Sequence, residues 1–133
     1  MGTIEALSDQ IVLRIRATTG HIGLARATAS ALAARLDFTY DRLMDLHIAM
    51  DEACGRVLAT SDPPARNLQI VFEPDADGIR ISVRGDGRLK PDAQFLNPWS
   101  KVILESIVQN LEVSEHGENA VGLSFSIARG NPS

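Results

Sequence analysis

The segment Thr39–Leu58, TYDRLMDLHIAMDEACGRVL, decides how the rest of the chain folds. Its apolar side chains recur at steps of three and four residues, which is the spacing of one face of an α-helix. This stripe consists of Leu43, Leu46, Met50, Ala53 and Val57. Thr39 is a suitable N-cap, and Asp41 puts a negative charge in the first turn, where the helix dipole favours it. The sequence therefore predicts a long helix with one buried face.

The composition is that of a globular protein without membrane-spanning segments. Of the 133 residues, 44% are apolar, and no run approaches the roughly 18 apolar residues that a transmembrane helix needs. Residues 1–10 lack the basic-then-apolar order of a signal peptide. Cys54 is the single cysteine, so no internal disulfide can form. We expect one cytoplasmic domain over residues 1–133, with loose ends at 1–8 and 130–133.

The charges do not indicate a nucleic-acid or metal site. The net charge is −4, from 13 basic and 17 acidic residues that are spread along the chain. Nucleic-acid binding needs a basic patch that neutralises phosphates, and the sequence has no basic run. His21, His47 and His116 have no cysteine or acidic partner at metal-ligand spacing. We predict no direct nucleic-acid partner, no membrane partner and no metal-ligand set.

Alternating apolar and polar residues predict the strands around the long helix. They cover Gln10–Arg16, Asn67–Glu73, Gly78–Arg84, Glu112–His116 and Val121–Arg129, the second and third forming an antiparallel hairpin. Two further helices are predicted at His21–Leu36 and Trp99–Leu111. The last helix would turn Val102, Ile103, Ile107 and Leu111 inward. The order β-α-α-β-β-α-β-β predicts an α/β fold, a two-layer sandwich with a mostly antiparallel sheet covered by helices on one face.

The first predicted helix has two apolar sides. The core stripe consists of Ile22, Ala25, Ala29, Leu32, Ala33 and Leu36. Leu24, Ala27, Ala31 and Ala34 lie opposite, and Arg26 and Arg35 border the stripe. A smooth face edged by arginine is typical of a protein-docking surface. Alanine is also the best helix former and is common on exposed faces. Both interpretations stay open at this point.

Two blocks of the sequence carry a resemblance to a known family. LARATASALAARLD (24–37), followed by the long helix with DEACGR (51–56), resembles the bacterial anti-sigma-factor serine kinases. Those proteins are small members of the GHKL ATPase family, which includes histidine kinases and Hsp90. The resemblance extends over about residues 10–129 and implies the Bergerat fold. It also implies ATP with Mg²⁺ as cofactor, a homodimer, and two partners: a sigma factor and a STAS-domain antagonist.

The first family motif, Glu-Ala-x-x-Asn, is matched only in part. Glu52 corresponds to the glutamate that acts as catalytic base, but Arg56 stands where the Mg²⁺-binding asparagine belongs. A guanidinium has donors and no acceptor, so it cannot ligate a cation. At i,i+4 we expect Arg56 to pair with Glu52. An alternative is that Arg56 contacts phosphate oxygens in place of the metal.

The other nucleotide motifs also depart from the family. Asp-x-Gly-x-Gly aligns with VRGDGRL (83–89), which puts Gly85 at the adenine-binding aspartate and Asp86 one residue too late. The phosphate loop would lie in FLNPWSK (95–101), which has no glycine to let main-chain N–H groups wrap a phosphate. The resemblance leaves Arg56, Asp86, Gly87 and Lys101 as candidate nucleotide contacts.

The resemblance favours docking for the first helix. In the family this helix contacts both the sigma factor and the antagonist, and Leu24-Ala25-Arg26 matches its arginine-containing stretch. The predicted partner contacts are Leu24, Arg26, Ala27 and Ser30. We therefore expect an anti-sigma factor with weakened or lost ATP chemistry. The alternative is an active serine kinase that phosphorylates the STAS-domain antagonist, with Glu52 as base.

Overall fold

The computed structural model describes residues 9–62, 64–91, 93–117 and 120–130. The elements are β1 (Ile11–Arg16), α1 (Thr19–Arg35), α2 (Tyr40–Thr60), β2 (Asn67–Pro74), β3 (Gly78–Gly85), α3 (Pro98–Ile107), β4 (Gln109–Gly117) and β5 (Ala120–Ala128). This is the element order that the sequence predicts. Among the described residues, no helix combines the length and the apolar character needed to cross a bilayer.

The strands form one sheet of five in the order β1-β2-β3-β5-β4, and every neighbouring pair is antiparallel. Leu13, Ile70, Val83 and Leu123 lie opposite one another across four strands. Their side chains share one face of the pleated sheet, and this face packs against the helices. The predicted two-layer α/β architecture is confirmed.

The long helix α2 occupies the centre of the helical layer, in contact with both α1 and α3. Leu46, Met50, Ala53 and Val57 have no exposed surface, as the stripe predicts. Thr39 is the N-cap, because its Oγ1 accepts a hydrogen bond from the Arg42 N–H at 3.3 Å. The local prediction for this helix is therefore confirmed, and the helix extends two residues further, to Thr60.

Helix α1 also follows its predicted pattern. Ala25, Ala29 and Ala33 are fully buried, whereas Leu24 is 54% exposed on the opposite side. The helix begins two residues earlier than predicted because Thr18 is the N-cap, its Oγ1 accepting from the His21 N–H at 3.2 Å. The second apolar side of α1 is therefore open to solvent.

The prediction for the last helix is wrong at its end. α3 stops at Ile107, and the residues predicted as its last turn belong to β4, where Gln109 lies opposite Ser126 of β5. Asn110 adopts a positive φ of 54°, which an α-helix does not allow. Sheet pairing with a distant strand thus overrides the local helical pattern, and Leu111 lies on a strand.

The buried side of α3 differs from the predicted one as well. Val102 is 65% exposed, whereas Leu104 is fully buried and Ser100 is 1% exposed. Asn97 caps the helix by accepting from the Ser100 N–H at 2.8 Å. This cap sets the first turn so that Ser100 and Leu104, four residues apart, face the core.

Arg42 joins three elements at the beginning of α2. Its Nε donates to the main-chain oxygen of Ala128 at 2.9 Å, and one terminal nitrogen donates to the oxygen of Ile107 at 3.0 Å. The other terminal nitrogen forms a half-buried ion pair with Asp45 at 2.9 Å. Arg42 therefore fixes the end of α3 and the end of β5 to α2. The sequence prediction assigned it no role.

Candidate functional site

The candidate catalytic base, Glu52, lies on the side of α2 that faces α3. Its carboxylate Oε1 accepts a hydrogen bond from the hydroxyl of Ser100, in the first turn of α3. Glu52 is half-buried and Ser100 is almost fully buried. The carboxylate is therefore engaged with a neighbouring helix.

Arg56 lies one turn after Glu52 and binds the loop that precedes α3. Its Nε donates to the main-chain oxygen of Phe95 at 2.7 Å, and a terminal nitrogen donates to the oxygen of Gln94 at 2.9 Å. Phe95 itself is fully buried. The planar guanidinium carries several donors in a fixed fork, which suits two adjacent carbonyls.

The predicted pairing of Arg56 with Glu52 is wrong. Among the described residues the two side chains form no ion pair. Each has another partner: Ser100 donates to Glu52, and the carbonyls of Gln94 and Phe95 accept from Arg56. The i,i+4 spacing allows the pair, but partners from other elements replace it.

Together these contacts form what we call the α3 clasp, made by Arg42, Glu52 and Arg56 of α2. Arg56 holds the loop before α3, Glu52 holds its first turn, and Arg42 holds its last residue. The three side chains are spaced by ten and four residues, so they lie on one face of α2. The clasp therefore fixes α3 and its preceding loop to α2.

Gly85, which the resemblance assigns to the position of the adenine-binding aspartate, is tightly packed. A Cβ built on Gly85 would lie 2.4 Å from Cγ1 of Val57 and 3.2 Å from Cβ of Ala65. Val57 is fully buried on α2, so it has little room to move. An aspartate could not replace Gly85 without displacing this part of the core.

The Asp86 carboxylate is hydrogen-bonded to the start of β2. One carboxylate oxygen accepts from the main-chain N–H groups of Arg66 at 2.7 Å and Asn67 at 3.1 Å, and the other accepts from the Asn67 side chain at 3.1 Å. Partial burial raises the pKa of Asp86, but the hydrogen bonds from Asn67 and Arg66 outweigh it and leave the pKa below its usual value.

None of three surface cavities in the described part of the chain brings the candidate nucleotide contacts together. Gly87 is buried after β3, and Lys101 is exposed on α3, with its Nζ 3.9 Å from Glu105. Three surface cavities in the described part of the chain have volumes of about 430, 290 and 250 Å³. None of these three is lined by Glu52, Arg56, Gly87 or Lys101, and only the second includes Asp86.

The predicted partner residues of α1 lie at or near the surface. Leu24, Arg26 and Ala27 are exposed, and Ser30 is half-buried, with its hydroxyl 2.5 Å from Nε2 of His47. Arg26 forms a 3.4 Å ion pair with Asp51 of α2, in which both side chains are about half exposed. The sequence prediction missed this pair, whose partners are 25 residues apart. An exposed pair of this kind is worth little, so Arg26 can exchange Asp51 for another carboxylate.

The remaining side chains with reactive groups are those of cysteine and histidine. Burial raises the pKa of the Cys54 thiol to about 12, with a smaller contribution from the charge of Asp51. The thiol is therefore neutral and inert, as predicted. His21 contacts the Thr18 hydroxyl at 2.7 Å, and the side chain of His116 lies outside the described residues. The described residues contain no group of three or more His, Cys, Asp or Glu side chains placed to hold a metal.

Replacing Arg56 by methionine tests the clasp. Arg56→Met leaves the carbonyls of Gln94 and Phe95 without their donors, so we expect the free energy of unfolding to fall by about 2 kcal/mol. Amide exchange in residues 93–100 should accelerate. Urea denaturation and hydrogen-exchange mass spectrometry measure these effects. Lys101→Met, on the exposed side of α3, is the matched control and should change neither. If Arg56→Met equals this control, the clasp does not hold the loop.

Comparisons with known proteins identify the family. The model of the histidine kinase-like ATPase domain matches residues 15–124. The serine-protein kinase RsbW of Bacillus velezensis is 32% identical over 81 residues, which cover 59% of this chain and 51% of that protein. RsbW of Bacillus subtilis (strain 168) is 30% identical over 82 residues, covering 60% and 51%. RsbW of Bacillus cereus (strain Q1) is 29% identical over 116 residues, covering 86% and 69%.

The matches differ in how much of each protein they cover. The chain spans about half the length of the first two relatives. The family model covers α1, α2, α3 and the hairpin, and so includes both Glu52 and Arg56. The resemblance to the GHKL ATPases and to the anti-sigma-factor serine kinases is confirmed. The chain belongs to the histidine kinase-like ATPase domain family.

Proposed function

We propose that this chain is a cytoplasmic anti-sigma factor that sequesters a sigma factor by protein binding, with weakened or lost ATP chemistry. It would act as a homodimer in a partner-switching system, and a STAS-domain antagonist would release the sigma factor. The observation that carries the proposal is the position of Arg56. Where the family pattern has a metal-binding amide, this chain has a positively charged guanidinium, which donates hydrogen bonds to the loop before α3.

The docking surface would be the open side of α1. Leu24, Ala27 and their alanine neighbours offer an apolar strip without acidic residues, and Arg26 lies beside it. The Leu24 side chain is 54% exposed, although leucine is more often buried in folded proteins. A guanidinium gives oriented, two-pronged pairing with a carboxylate, so Arg26 is the proposed anchor. Ser30 lies at the edge of this face, where its hydroxyl contacts His47 of α2.

The residues at the family's nucleotide site do not suit magnesium–ATP. Mg²⁺ requires oxygen ligands, and Arg56 brings a positive charge without an acceptor. Glu52 is hydrogen-bonded to Ser100, and the core side chain of Val57 closes the position beside Gly85. Phosphoryl transfer depends on positioning and on neutralisation of charge by the metal. These contacts support a binding protein over an enzyme.

The alternative is an active serine kinase that phosphorylates a STAS-domain antagonist. Two observations favour it: the relatives are named serine-protein kinases, and Glu52 is retained next to the first turn of α3. Glu52 would then act as base, with Arg56, Asp86, Gly87 and Lys101 near the nucleotide. This mechanism would require the α3 clasp to open.

Binding measurements with and without nucleotide separate the two functions. The purified chain is titrated with each sigma factor of the organism that encodes it, in the presence and absence of Mg·ATP. We expect one sigma factor to bind with the same dissociation constant in both conditions, and Glu52→Gln, which keeps an oxygen acceptor for Ser100, to bind equally. Transfer of γ-labelled phosphate to a STAS-domain protein, abolished by Glu52→Gln, would instead establish the kinase.

A second prediction concerns the anchor on α1. Arg26→Ala should weaken sigma-factor binding by about 2 kcal/mol, roughly thirtyfold, as for an interface hot spot. The free energy of unfolding should change by less than about 0.5 kcal/mol, because the ion pair with Asp51 is half exposed. Asp51→Ala is the matched control: it removes the same ion pair but leaves Arg26 available. Equal dissociation constants for Arg26→Ala and the unaltered chain would remove α1 from the interface.

A further inference from the structure

The face of the sheet opposite the helices gathers arginines that are scattered in sequence. All four arginines of β1, β2 and β3 lie on strand positions that alternate with the buried ones: Arg14, Arg16, Arg80 and Arg84. Successive side chains on a strand point to opposite faces, so these four share the open face. The register of the sheet creates this basic surface, because the four arginines do not form a basic run in the sequence.

Three of the arginines lie towards one end of the face. Arg14 lies opposite Gln69, which lies opposite Arg84, and the Arg14 guanidinium donates to Gln69 Oε1 at 2.9 Å. Neighbouring strands are about 4.8 Å apart, so the Cα atoms of Arg14 and Arg84 are separated by roughly 10 Å. Arg16 follows two residues along β1. We call Arg14, Arg16 and Arg84 the arginine corner.

A cavity of about 290 Å³ lies in this corner, lined by Arg14, Gln69, Arg84 and the residues around Asn67. Asp86 is the carboxylate in its wall, and that group already accepts three hydrogen bonds from Arg66 and Asn67. The corner is thus a surface that presents several guanidinium N–H donors beside a cavity.

No carboxylate of the described residues forms an ion pair with the arginine corner. All three side chains are exposed. Arg80, further along the same face, differs: it lies 3.8 Å from Glu112 and donates to the hydroxyls of Ser124 and Ser126. The chain has 17 acidic residues and a net charge of −4, yet none of the carboxylates that the structure describes neutralises this positive cluster by an ion pair. The corner therefore offers charge complementarity to an acidic partner.

We propose that the arginine corner binds an acidic polypeptide segment. Guanidinium forks pair with carboxylates in a two-pronged geometry that lysine does not provide, and the corner contains arginine only. The next row of the same face pairs Val12, which is 55% exposed, with Val71. This apolar pair beside the arginines suits a segment that alternates acidic and apolar side chains.

The same surface is a poor match for nucleic acid. Single strands are held by stacking on aromatic side chains, and the open-face positions of β1, β2 and β3 carry none. Phe72 and Phe125 point into the core, and Trp99 lies on α3. A flat sheet face also does not enter a duplex groove as a helix or ribbon does. The basic charge therefore favours a protein ligand.

This surface is independent of the proposed sigma-factor site. It lies on the side of the sheet opposite α1, so neither Arg26 nor Glu52 contributes to it. Loss of sigma-factor binding at α1 would leave binding at the arginine corner in place. An assay with an acidic polypeptide, without sigma factor or nucleotide, therefore tests the corner separately.

Fluorescence anisotropy with labelled poly-L-glutamate tests the proposal. We expect the full chain to bind it, and both Arg14→Glu and Arg84→Glu to weaken binding about tenfold, because each removes a charge-assisted contact and adds a repulsive charge. Lys90→Glu is the matched control with the same change in net charge. Lys90 is exposed, and its main-chain N–H binds Thr60 at the end of α2, on the helical side. This control should bind within about twofold of the unaltered chain.

Several results would overturn the proposal. Equal weakening by all three variants would mean that only net charge matters. Absence of binding, or tighter binding to single-stranded oligothymidylate than to poly-L-glutamate, would exclude an acidic polypeptide as the ligand. A dimer in sedimentation equilibrium that Arg84→Glu dissociates would assign the corner to a second copy of the chain.

Discussion

The hydrogen bonds from Arg56 to the main-chain oxygens of Gln94 and Phe95 are the interaction on which the α3 side of the molecule depends. Carbonyls in a partly buried loop need donors, and an unmet one is costly. Arg56 supplies them from α2, and Arg42 does the same for Ile107 at the other end of α3. Because both donors belong to the central helix, α3 and its loop are fixed to α2.

The departures at positions 56 and 85 have a common physical consequence. At 56, where the resemblance implies a metal-binding asparagine, a guanidinium binds the protein's own backbone. At 85, where it implies an aspartate, a glycine allows Val57 to fill the space. Both positions thus contribute to internal contacts. This supports the proposal that the fold is retained for binding a protein while nucleotide chemistry is weakened.

Features set by local sequence could be predicted, and features set by distant contacts could not. The α2 stripe, its Thr39 cap and the β2–β3 hairpin follow from periodicity and capping within a few residues. The early end of α3 could not, because Gln109 pairs with Ser126. The partners of Arg56 lie 38 and 39 residues away, whereas the spacing along the helix predicts only the nearby Glu52.

We propose that the α3 clasp holds the loop before α3 without nucleotide. Hydrogen-exchange mass spectrometry of the unaltered chain, with and without saturating Mg·ATP, tests it most directly. Residues 93–107 should be protected equally in both conditions, because Arg42, Glu52 and Arg56 already satisfy this segment. A marked gain in protection of residues 93–107 on adding Mg·ATP would contradict the account, since it would mean that nucleotide orders the loop.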